Sequence, residues 1–69
     1  MEYVSVLTLR IPGHAKLTVQ DIVDVSGEEA SPGKAVFDHM IGRAVDAHGQ
    51  QWANADVVSF TAEPCIITV

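Results

Sequence analysis

Leu17-Thr18-Val19-Gln20-Asp21-Ile22-Val23-Asp24-Val25 decides the architecture, because it reads two ways. With a period of two, Leu17, Val19, Val23 and Val25 share one face, and Lys16, Thr18, Gln20 and Asp24 share the other. Asp21 and Ile22 break that alternation. With a helical period, Thr18 caps, Asp21 completes a capping-box pattern, and Val19, Ile22 and Val23 form an i, i+3, i+4 stripe. Branched residues lose rotamer freedom in a helix and pack well on a pleated surface. The β-branched content therefore favours a strand, and the Pro12-Gly13-His14 turn before it favours pairing with the segment upstream.

That upstream segment, residues 3–11, is equally rich in strand-forming residues. Its apolar positions change phase between Val4, Val6 and Leu7, Leu9, Ile11, which predicts a bulge or a strand buried on both faces. Downstream, residues 27–33 form a loop. Ser31-Pro32 is a helix start, since a serine oxygen accepts an orphan amide and proline suits the first turn. The helix then spans residues 32–48, with Val36, Phe37, Met40, Ile41, Ala44, Val45 and His48 along one stripe that fits against a sheet. Gly49 supplies a left-handed cap.

Beyond it, Val58, Phe60 and Ala62 alternate with Val57, Ser59 and Thr61. Pro64 lacks an amide donor and so marks a turn, a bulge or a sheet edge before the final β-prone residues 65–69. The expected fold is α+β: a small antiparallel or mixed sheet in ββαβ or ββαββ order, with one amphipathic helix packed on one face.

Length and charge bound the function. Sixty-nine residues suffice for one small domain over residues 1–69 and not for two. A domain of about 60 residues buries only about 60% of the surface its unfolded chain exposes, so self-association or a partner would add needed stability. The net charge is −5, and the cations Arg10, Lys16, Lys34 and Arg43 do not cluster, which argues against direct nucleic-acid binding. No apolar run is long enough for a membrane span. Met1-Glu2-Tyr3 lacks the basic start of a signal peptide, and one unpaired cysteine suits a cytoplasmic location.

Candidate sites are few. Residues 27–35 superficially resemble a phosphate-binding loop, but the glycine spacing is too long, Ala35 stands where Ser or Thr would hold magnesium, and Glu28 and Glu29 would repel phosphate. His39, Arg43 and Asp46 stack along one helix face and make either a polar surface site or an ordinary solvated face. Asp21, Asp24, Glu28 and Glu29 are the densest acidic group and would suit a basic protein surface. His14 lies in a turn without a sequence-local carboxylate to orient it. Cys65, with no basic neighbour, reads as a buried thiol. The histidines and the single thiol lack zinc-ligand spacing, so neither metal nor cofactor is expected.

Trp52, outside the periodic pattern, either caps the core or anchors an interface. With Ile66, Ile67 and Val69 on an uncharged terminal strand, it defines the expected contact surface. The resulting expectation is a small non-enzymatic interaction module, self-associating or acting as an accessory or inhibitor on a protein partner. The competing expectation is a ligand-binding or catalytic homo-oligomer with His14, His39 and Arg43 around a pocket between subunits.

Overall fold

The structure, a computed structural model, describes residues 1–65. Strand β1 (Glu2–Arg10) leads into β2 (Leu17–Asp24), helix α1 (Pro32–His48) and a 3-10 turn (Gln50–Asn54), and the chain returns as β3 (Asp56–Pro64). The sheet order is β2-β1-β3, with both neighbours antiparallel to the central β1. This is the expected α+β fold in ββαβ order. Strands β2 and β3 therefore run in the same direction on either side of β1, and α1 carries the chain from one edge to the other across one face.

Residues 17–24 form a strand, and its alternation has no break. Pairing runs from Glu2 opposite Asp24 to Leu9 opposite Leu17 without slippage. Asp21 therefore belongs on the same face as Leu17, Val19 and Val23, while Ile22 belongs with Thr18, Gln20 and Asp24. The two residues that spoil the hydrophobic pattern do so chemically, not geometrically.

The phase change in β1 has a similar origin. No bulge separates Val6 from Leu7; β1 is the central strand and carries apolar residues on both faces. Leu7 and Leu9 are fully buried toward the helix, whereas Val4 and Val6 are half-buried on the other side. Ser5 lies on the helix face and is fully buried. Its hydroxyl donates to the Thr61 carbonyl at 2.8 Å, which offsets the cost of removing it from water. The register does slip in β3, where Thr8 faces Ser59 but Leu9 faces Val57, leaving Val58 without a partner. Beyond that point Phe60 and Ala62 turn toward the helix, and they pack against the core.

Val36, Met40 and Ala44 form the buried line of α1 and close over Leu7, Leu9, Val23, Val25 and Trp52. Phe37 meets Phe60 edge to face at 5.2 Å, tying the helix to β3. The helix ends differ from expectation. Ser31 occupies the N-cap position, but its side chain makes no capping bond; its own amide is taken by Glu29 Oε1 at 3.1 Å. At the other end Gly49 adopts φ 114° and ψ 161°, a region open essentially to glycine alone, and its amide donates to the Val45 carbonyl. His48, expected at the core boundary, is exposed.

Candidate functional site

The alternation of β1 and β2 gives the sheet two unlike faces. One is covered by α1. Nothing among the described residues covers the other, where Val4, Val6 and Thr8 of β1 lie beside Thr18, Gln20 and Ile22 of β2. Thr61 and Glu63 of β3 complete it, opposite Val6 and Val4. Ile22 is 56% exposed, beside the half-buried Val4. A single exposed apolar side chain is ordinary, and Ile22 gains its weight from the contiguous Val4 and Val6 beside it.

The open face is also charged unevenly along its length. Glu2, Asp24 and Glu63 gather at one end, with the Met1 amino nitrogen 3.2 Å from Asp24 Oδ1. Arg10, on the same face as Thr8, lies at the opposite end, near Lys16, which directly precedes β2. Asp56 faces Arg10 from β3.

A second cluster sits where β2 meets the helix. His39 and Arg43, one helical turn apart, both reach Asp21 Oδ2, with His39 Nε2 at 3.1 Å and Arg43 Nε at 3.3 Å. The other carboxylate oxygen accepts the Ile22 amide at 2.8 Å. Asp21 is 28% exposed. The hydrogen bonds from His39 and from the Ile22 amide lower its pKa from the ordinary 3.8 and outweigh the opposing effect of burial, with a lesser contribution from the charge of Arg43. An acid on the core face of an edge strand is tolerable because the helix brings two partners to it. The arrangement ties β2 to α1.

Sequence reasoning grouped His39 and Arg43 with Asp46. The structure brings Asp21 to His39 and Arg43, and Asp46 makes no ion pair among the described residues. The signal was available in Asp21's parity with Leu17, Val19 and Val23. The acidic group is divided accordingly. Asp21 faces the helix, Asp24 faces the other way, and Glu28 and Glu29 remain exposed in the loop.

Trp52 is only 7% exposed and belongs to the core, with the His14 ring edge-on at 6.4 Å. Little indole surface is left for a partner. Cys65, expected to be buried, is exposed, because it follows the end of an edge strand; its amide still continues the ladder to the Glu2 carbonyl. Ile66, Ile67 and Val69, the remaining expected contact residues, lie outside the described residues.

One cleft of about 150 Å³ opens at the start of α1, lined by Glu29, Ser31, Lys34, Ala35 and Asp38. Lys34 Nζ is already 3.3 Å from Asp38 Oδ2, so an entering anion would meet two carboxylates and a neutralised lysine. Among the described residues no three metal-ligating side chains converge, and no helix is long and apolar enough to cross a membrane. Comparisons with protein families, with curated proteins and with solved structures return no match.

Proposed function

We propose that this chain is a non-enzymatic interaction module that associates with a second copy of itself through the open face of its sheet. The observation that carries the reading is that face, uncovered among the described residues, with Ile22 exposed next to Val4 and Val6. A three-stranded sheet with a single helix buries one of its two faces only, and packing a second sheet on the other is the common remedy. A chain of this length gains from it, because its own core is small.

The other readings have less support. A pocket shared between subunits would draw on His39 and Arg43, whose Nε2 and Nε already face Asp21, and on His14, which lies against Trp52. The acidic group of Asp21, Asp24, Glu28 and Glu29 does not form one surface, because Asp21 and Asp24 point to opposite sides of the sheet.

Sedimentation equilibrium from micromolar to millimolar protein tests the proposal. A monomer–dimer equilibrium is expected, with Ile22→Lys weakening it and leaving the circular dichroism spectrum unchanged. A chain that stays monomeric throughout that range overturns it.

A further inference from the structure

We infer that the two copies pack with their strands antiparallel, about a twofold axis that runs across the strands at Val6, so that the acidic end of each open face covers the basic end of the other. This rests on the self-association proposed above and adds its geometry.

Register fixes what meets what. Gln20, Val6 and Thr61 lie side by side in one row across the sheet. A twofold axis along that row turns each strand onto its own copy with direction reversed. One row out, Val4 and Ile22 come over Thr8 and Thr18 of the other copy. Two rows out, Glu2 comes over Arg10, and Asp24 comes toward Lys16, which directly precedes β2, twice each by symmetry. Glu63 meets Ser59, and Asp56 meets the row of Cys65. No like-charged side chains are opposed, and the Met1 amino group, 3.2 Å from Asp24, offsets part of the charge at the acidic end.

The other twofold arrangement, with the axis along β1, fares worse. It sets Glu2 on Glu2 and Arg10 on Arg10, and it places the exposed Ile22 beneath Glu63. Like charges opposed across an interface select strongly against a pose, while opposite charges fix register and speed encounter. The electrostatics therefore choose between two poses that bury nearly the same surface.

The footprint sets the strength. Three strands about 4.8 Å apart and about 27 Å long present roughly 400 Å², below the ~800 Å² per partner of a standard stable interface. A reversible, concentration-dependent dimer follows, and one sensitive to its charges.

Two experiments separate failure of this geometry from failure of self-association. The first compares Arg10→Glu/Lys16→Glu with Glu2→Lys/Asp24→Lys by sedimentation equilibrium. Each double variant alone should dimerise at least tenfold more weakly than the unaltered chain, and an equimolar mixture should recover a heterodimer. The second uses Gln20→Cys and Thr61→Cys, each with Cys65→Ser. Facing sheets stand about 10 Å apart, too far for a direct disulfide and within reach of a short bis-maleimide. Both variants should crosslink to themselves. Crosslinking of Gln20→Cys alone or Thr61→Cys alone would indicate edge pairing of β2 or β3, and crosslinking only when the two are mixed would indicate the axis along β1; each overturns the inference. A dimer indifferent to charge reversal also overturns it and leaves self-association standing, whereas a wholly monomeric chain removes both. Because the crosslinking variants change no charge, misfolding of a reversal variant does not decide the matter.

Discussion

The two faces of the sheet are built from the same strands and differ by one residue of parity. On the helix side, Leu7 and Leu9 are fully buried beneath Val36, Met40 and Ala44. On the other side, Val4 and Val6 are half-buried, and Ile22 is exposed. The helix face accepts polar groups only with partners in place: Ser5 has the Thr61 carbonyl, and Asp21 has His39 and Arg43. The open face keeps its polar groups in water, with the Thr8 and Thr18 hydroxyls 3.2 Å apart and Asp24 beside the Met1 amino group. Burial by the chain's own helix demands satisfied polar groups, and exposure to water does not.

The largest contrast should come from adjacent residues of β1. Leu7→Ala removes a fully buried side chain and should cost about 2–5 kcal/mol, against a total of about 3–10 kcal/mol for a chain of this length. Val6→Ala, one position away and on the open face, should cost about 1 kcal/mol or less. Urea unfolding of both at low protein concentration measures the difference. Equal losses would mean that the open face is already as well packed as the core.

Asp21→Asn probes the polar exception on the helix face and should cost roughly 0.5–1 kcal/mol at neutral pH, as a partly exposed ion pair does. The sign of its pH dependence follows from the lowered pKa. The folded carboxyl holds its proton less tightly than the unfolded one, so its stabilisation is present above about 3.8 and is lost as pH falls through the lower folded value. Stability curves of the unaltered chain and the variant should lie apart at pH 7 and converge in strong acid. A gap that stays constant down to strong acid would mean that the charge of Asp21 contributes nothing.

The same comparison explains what could be read from the sequence. The helix over residues 32–48 was legible, because Val36, Met40 and Ala44 repeat at helical spacing between Pro32 and Gly49. The strand over residues 17–24 was legible only in part. Asp21 and Ile22 look like errors of pattern until the helix supplies partners for one and a face left uncovered among the described residues accounts for the other. The slip at Val58 has no local signal, since it depends on how β3 meets β1. Trp52 was ambiguous because its burial comes from a 3-10 turn that folds back on the core, a contact with no periodic trace. The missed pairing of Asp21 with His39 and Arg43 joins residues 18 and 22 positions apart, and only the tertiary fold brings them together.

The smallest effect on folding should accompany the clearest effect on assembly, and Ile22→Thr tests for that separation. Threonine keeps the β-branch that suits an edge strand, so isolated-chain stability should change by no more than about 0.5 kcal/mol. In a face-to-face dimer each copy contributes one Ile22. Losing the burial of two such side chains, even at about 1 kcal/mol each, should weaken association at least tenfold. The measurements are urea unfolding at dilute protein, where dimerisation adds little apparent stability, and sedimentation equilibrium at high protein. A substantial loss of folding stability with unchanged association would reverse the roles assigned to the two faces. Ile22 would then serve its own sheet, and the parity that separates it from Asp21 would not divide folding from assembly.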